Sequence, residues 1–170
     1  VVPSDVRLET YVRGKNLDAI LDASAKVDRA FKAGGDAVGA ATQITNIPGY
    51  LPIFQDRNLT EIAGRNGRAL LGERGALEAG FMGGSFDVGD LSHIIPVVHP
   101  FTTGTKGHLH TAEFCVTDYE AAVVLPAKLM AMCVIDLLAE GGREARRVKS
   151  EFQPRLTKQQ YLELMQRLSQ

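Results

Sequence analysis

Residues 5–13 alternate, with Val6, Leu8, Thr10 and Val12 on one side and Arg7, Glu9, Tyr11 and Arg13 on the other. A period of two marks a half-exposed β-strand. The period then lengthens. Leu17, Ile20, Leu21, Val27 and Phe31 share one helical stripe, and Asn16 stands where a cap belongs. Asp22 and Lys26 lie one turn apart on the outer face and can pair. Gly34 and Gly35 predict the end of this helix. "ATQITNI", residues 41–47, reads as a second strand, which the prolines of "IPGYLP" interrupt. The pattern predicts a β-α-β unit with its helix on one face of a sheet.

From about Pro52 the character changes. "NLTEIAGRNGRALLG" reads as a helix, with Asn58 and Glu61 spaced as a capping box. The Gly-rich stretch that follows predicts a strand near Glu78–Met82, a tight turn, a short helical turn near Asp87–His93, and a strand near Ile95–His99. Thr117 and Glu120 form a second capping-box pattern, opening a long apolar helix that Pro126 should kink or split. This tract, Ala121–Ala139, contains Lys128, Pro126 and Asp136. Charges at mid-membrane depth are costly, so it reads as a buried helix of a soluble protein. The chain closes on an amphipathic helix with Tyr161, Leu164, Met165 and Leu168 inward. There is no internal repeat and no low-complexity tract.

The 170 residues suffice for one ordinary domain or two small ones. A net charge of -1, no Trp and 6% aromatic residues imply no nucleic-acid partner and no membrane partner. Cys115 and Cys133 lie far apart among apolar neighbours and read as reduced, buried thiols of a cytoplasmic protein. The first residues carry no signal-peptide pattern. They lack an initiator Met and start on strand-like sequence, which predicts a chain cut from something longer.

The candidate chemistry lies in "TGTKGHLHTAEFC", residues 103–115. In an extended segment His108 and His110 share one side and could reach one metal ion, with Glu113 just beyond. A catalytic metal needs about three protein ligands, and the alternative is a pair of polar loop histidines. "HLHTAE" also resembles the cupin metal motif superficially, but its Glu comes too early and the chain is too helical for a cupin barrel. In "GGSFDVGDLSH", Ser85, Asp87, Asp90 and Ser92 crowd a Gly-rich turn. They read as helix caps; the turn matches no phosphate-binding motif, and its two acids would repel phosphate. His93 and His99 read as structural. Arg13 ends its strand on the exposed side, as a solvated charge or an ion pair. The basic run Arg143–Lys149 reads as a solvated helix face.

Taken in order, "VVPSDVRLETYVRG", "NLTEIAGRNG", "GGSFDVGDLSHIIPVVHPF" and "GTKGHLHTAEF" resemble the dinuclear metal-dependent amidohydrolases and peptidases that include carboxypeptidase G and the aminoacylases. The S-x-D-V-G-D-x-S element resembles the aminobenzoyl-glutamate utilisation subgroup most. The resemblance implies an α/β chain. Residues 1–53 would be the second half of an inserted α+β sandwich lid used for dimerisation. Residues 54–170 would be the C-terminal portion of an α-β-α layered catalytic domain. It implies two divalent metal ions, zinc or else manganese or cobalt, with His110 as the last ligand. The other ligands and a Glu general base would lie outside this chain. Arg13, Ser85 and Asp87 would then stand near a small-molecule amide substrate, with Arg13 meeting its carboxylate. The implied reaction is amide hydrolysis by a metal-activated water, on an N-acyl amino acid, a dipeptide or an aminobenzoyl-glutamate-like amide. The chain alone would be inactive, and its uncovered apolar surface would be buried by self-association as a homo-oligomer or by a companion chain. The alternative is a non-catalytic assembly or binding module with structural histidines.

Overall fold

A computed structural model describes residues 3–73, 75, 80 and 83–169. Helix α1 spans Leu17–Ala37, α2 Arg57–Leu71, α3 Asp87–Ser92, α4 Leu125–Glu151 and α5 Lys158–Leu168. Strands β1 (Thr105–Lys106) and β2 (Cys115–Val116) pair antiparallel, Thr105 opposite Val116. A single π-helical turn, Glu120–Val124, leads into α4. The described chain is mostly helical with one small sheet, compatible with a piece of an α/β domain.

The expected β-α-β unit retains its helix but not its strands. Residues 5–13, 41–47 and 95–99 carry no β-ladder. Val6, Leu8 and Tyr11 are 70%, 73% and 74% exposed, so neither side of the first segment is covered. Alternation suits a segment to a sheet, but a ladder also requires a neighbour to exchange hydrogen bonds with. The strand expected at Glu78–Met82 lies outside the described residues except for Gly80.

Asn16 caps α1 as expected, its side chain accepting from the Ala19 N–H at 2.9 Å, and Lys26 pairs with Asp22. The helix runs through Gly34 and Gly35, however. It ends beyond Ala37, where Val38 and Ala40 donate to the Gly35 carbonyl and Gly39 turns left-handed at φ 70°. A mid-helix Gly weakens a helix by about 1 kcal/mol without ending it; the left-handed residue ends it. No residue of α1 is fully buried, so its apolar stripe is only partly covered.

The two capping boxes are shifted. Asp56, not Asn58, caps α2, accepting from Leu59 N–H at 2.9 Å. Asn58 is buried and otherwise engaged: it donates to Glu151 at 2.9 Å and accepts from Arg147 at 2.7 Å. Asp118, not Thr117, accepts from Ala121 N–H at 3.1 Å at the start of the π-helical turn. Pro126 sits in the first turn of α4, where the wide turn before it accommodates the ring. The break in α4 comes at Ala139–Gly142, where Glu140, Gly141 and Gly142 are left-handed at φ 49°, 65° and 80°.

Packing of α2 against α4 forms the centre of the molecule. Leu51, Ile62, Ala63, Leu129, Val148 and Leu164 are its buried apolar residues. Asp136 of α4 accepts from Arg65 at 2.9 Å and from Asn66 at 3.0 Å. The Arg65 hydrogen bond, then that of Asn66, holds the Asp136 carboxyl below the ordinary aspartate range. Glu120–Glu151 is long and apolar enough to cross a membrane by length and composition. Contrary to the expectation of a buried helix, only Leu129 and Val148 of α4 are buried, because α2 covers one side alone. Thr157 and Gln160 form a reciprocal capping box on α5, which buries Leu164 and half-buries Tyr161, Met165 and Leu168 as the pattern predicts.

Because the folded pKa of Asp136 is depressed, its contribution is fully present above about pH 3.9, the unfolded value, and is lost as pH falls through the folded one. Urea unfolding should show that acid loss in the parent, and a smaller one in Asp136→Asn. A second test concerns Gly89 of α3. A Cβ there would stand 2.1 Å from the Leu51 carbonyl oxygen, whereas one at Gly34 meets nothing within 4 Å. Gly89→Ala should cost about 1–3 kcal/mol or more, and Gly34→Ala should gain about 0.5–1 kcal/mol, by the same urea measurement.

Candidate functional site

Residues 51–54 run beside α3 without helix or sheet partners of their own, and α3 satisfies them with side chains. Leu51 N–H donates to Asp90 Oδ1 at 2.8 Å, and Phe54 N–H donates to Ser92 Oγ at 2.9 Å. His93 Nε2 lies 2.9 Å from the Pro52 carbonyl oxygen, which can only accept, so Nε2 carries the proton. Ser92 is fully buried and donates to the Gly89 carbonyl. Residues 51–53 can approach α3 this closely because Gly89 lacks a Cβ, which would meet the Leu51 carbonyl oxygen. Half of the Ser/Asp cluster is therefore structural: Asp90 and Ser92 hold backbone, and His93 does the same.

Ser85 and Asp87 stand at the other end of α3. Arg13 Nη1 donates to Ser85 Oγ at 3.2 Å and to the Gly83 carbonyl at 3.3 Å. Two residues 72 positions apart in sequence are thus brought together, with the Arg13 guanidinium exposed. Asp87 is exposed and accepts from the Val88 N–H at 2.8 Å. It lines a hollow of about 400 Å³ with Val88, Asp90, Leu91, Ile94 and Tyr161. Burial raises the Tyr161 hydroxyl pKa, and the Asp90 carboxylate beside it adds to the rise.

His99 shows a feature its sequence position does not. Its ring stacks on Phe86 (centroids 4.8 Å, 28° between planes) and meets the edge of Phe101 at 4.9 Å. Its Nδ1 is buried without a hydrogen-bond partner among the described residues. The ring is held by aromatic packing, in line with a structural role. Of the two partner rings only Phe101 is near His99 in the sequence; Phe86 stands thirteen positions before it.

His108 and His110 lie in the loop joining β1 to β2, and both are exposed. The loop is tightly turned: Thr111 N–H and Oγ1 both donate to the His108 carbonyl, at 3.3 and 2.9 Å. Gly107 is left-handed at φ 83°, and a Cβ on it would meet the Glu113 carbonyl oxygen at 2.5 Å. His110 is also left-handed, at φ 64°. A non-glycine residue there costs roughly 1–2 kcal/mol, although His tolerates it better than most. A hydrogen bond from its own backbone holds the Glu113 carboxyl below the usual glutamate range. Among the described residues there is no group of three or more His, Cys, Asp or Glu side chains placed to hold a metal ion. Arg13, Ser85 and Asp87 cluster about α3; His110 belongs to the hairpin.

The backbone of His110 gives a direct check. His110→Gly should stabilise the chain by about 0.5–1 kcal/mol in urea unfolding, because only glycine adopts that conformation freely. His108→Gly, at a position without positive φ, should give no gain.

No protein-family model and no solved structure matches the chain. Among curated proteins it is similar to the Xaa-Arg dipeptidase of Mus musculus, 26% identical over 170 residues, covering 95% of this chain and 39% of that protein. It is likewise similar to the Xaa-Arg dipeptidase of Homo sapiens, 26% identical over 162 residues, covering 88% of this chain and 37% of that protein. The chain spans less than two-fifths of the length of these relatives. The likeness supports a coarse relationship to the amidohydrolases and peptidases.

Proposed function

We propose that the chain is the C-terminal part of a metal-dependent amidohydrolase that cleaves a dipeptide. The similarity to two dipeptidases along 95% and 88% of the chain carries this reading. Because those relatives are named for Xaa-Arg cleavage, a dipeptide takes precedence over an N-acyl amino acid or an aminobenzoyl-glutamate-like amide. In this reading residues 1–53 belong to a lid and residues 54–170 to a layered catalytic domain. The contact of Arg13 with Ser85 supports a shared task, since it joins the first of these segments to the second. Arg13 has further donors for a substrate carboxylate, and Ser85 helps to aim it.

The described residues do not by themselves assemble a metal centre. His110 would supply one imidazole, exposed on a loop whose strained backbone fixes its place. The remaining ligands and the general base would come from polypeptide outside this chain.

The test is hydrolysis of a panel of Xaa-Arg and other dipeptides, with N-acyl amino acids for comparison, by the longest natural polypeptide that contains this chain. Activity should disappear with chelator and return with divalent metal. His110→Ala should lower kcat/KM by about 10–100-fold or more. Arg13→Ala should act mainly on KM, by about tenfold, as expected for a lost charged hydrogen bond. Undiminished hydrolysis by His110→Ala rejects the assignment of His110, and no cleavage of any amide rejects the reading as a whole.

A further inference from the structure

Helix α3 begins without a side-chain cap. Its first flanking residue, Phe86, makes no capping hydrogen bond, and the helix is only six residues long. So short a helix needs support from outside itself. At this end the support is a group of rings. Phe86 stacks on His99 with centroids 4.8 Å apart, and the Phe101 ring lies 5.7 Å from Phe86, tilted by 56°. With the His99–Phe101 edge contact the three rings form a closed triangle. Stacked and tilted pairs have preferred geometries, so each ring restrains the other two.

His99 is itself tied down. Its backbone N–H donates to Gln55 Oε1 at 2.9 Å. Two residues before it, the Val97 carbonyl accepts from the Asp56 N–H at 2.8 Å. Both anchors stand at the entry to α2. The His99 ring thus connects the start of α2 to the start of α3. The connection uses the flat ring and not its polarity, since Nδ1 is buried with no partner among the described residues.

The far side of this clamp is Arg13. Ser85 directly precedes Phe86 in the chain, and Ser85 Oγ and the Gly83 carbonyl accept from Arg13 Nη1. Residues 5–13 carry no ladder that could hold the arginine. Its other contact, the Tyr11 ring at 5.7 Å, belongs to the same segment and moves with it. The place of the guanidinium therefore depends on where the 83–86 turn is held.

We propose that His99 is a positioning residue for Arg13, acting through the Phe86 ring and the Ser85 hydroxyl. That Arg13 then meets a substrate carboxylate rests on the dipeptidase reading; the clamp does not.

The test has two arms. In the 170-residue chain, heteronuclear NOE values are measured for the Ser85, Phe86 and Asp87 amides and for the Arg13 side-chain Nε–H. His99→Ala should lower all of them together. His99→Phe, which keeps a flat ring and discards the unpaired nitrogen, should restore them. Ser85→Ala should lower the Arg13 signal and leave the Phe86 amide as it is. In the longest natural polypeptide that contains the chain, His99→Ala should raise KM for dipeptides by about three- to tenfold with kcat within about twofold. His99→Phe should recover most of that loss, and a dipeptide amide, which lacks the carboxylate, should show no such rise. His99→Ala combined with Arg13→Ala should be no worse than Arg13→Ala alone. An unmoved Arg13 Nε–H signal in a His99→Ala variant with parental circular dichroism overturns the proposal. So does a His99→Phe variant as mobile as His99→Ala. Should His99→Ala lose its helical signal, His99→Leu, apolar but not flat, takes its place with the same expectations. A parent that hydrolyses no dipeptide rejects the dipeptidase reading, and the relaxation arm alone then decides on the clamp. Relaxation changes as expected with KM indifferent to His99 keep the clamp and reject the carboxylate role of Arg13.

Discussion

Leu51 N–H, Pro52 C=O and Phe54 N–H would be costly to bury unpaired, and three consecutive-turn side chains of one short element, Asp90, Ser92 and His93, take them up. Much of the chain is tied to this clasp. Asp56 N–H, two residues on, donates to Val97 C=O at 2.8 Å while Asp56 caps α2. The His93 carbonyl accepts from Arg155 and Leu156, which sets the approach to α5. Arg155 lies over the Phe54 ring at 3.6 Å, adding a cation–π contact to the same junction. A six-residue helix has little stability of its own; side-chain hydrogen bonds to a neighbouring segment make this one a fixed point.

Helices with an apolar stripe and a local cap were legible. Asn16 before α1 and the Tyr161–Leu164–Met165–Leu168 stripe of α5 need only nearby residues to act as they do. What required distant partners was less so. Asn58 looks like a cap from its neighbours, but Arg147 and Glu151 claim its side chain from about ninety residues away. Residues 5–13 have a strand's alternation and no ladder, since alternation records a preference for one face and says nothing of what lies alongside. Pro126 and the Gly141–Gly142 pair both signal a break in α4, and the glycines prevail because left-handed backbone costs them nothing.

The candidate site was legible in its residue types more than in its roles. Four polar side chains, Ser85, Asp87, Asp90 and Ser92, crowd one turn in the sequence. The fold divides them, with Ser85 meeting Arg13 while Asp90 and Ser92 are committed to backbone. The contact of Arg13 with Ser85 bridges 72 positions and leaves no local trace. Nor does the left-handed backbone of His110, which arises from closing a hairpin whose strands are only two residues long.

The interruption at Ala139–Gly142 lets a single partner helix engage two segments of different rotational phase. Ahead of it, Asp136 meets the middle of α2 through Arg65 and Asn66; after it, Arg147 reaches the first turn of α2 at Asn58. An unbroken helix would fix the angular offset between those two contacts at 100° per residue. Three left-handed residues release that constraint, so the joint acts as a swivel that lets each half find its own register. Changes in length would be absorbed most easily there, and α4 is better regarded as two short rods spliced end to end than as one long one.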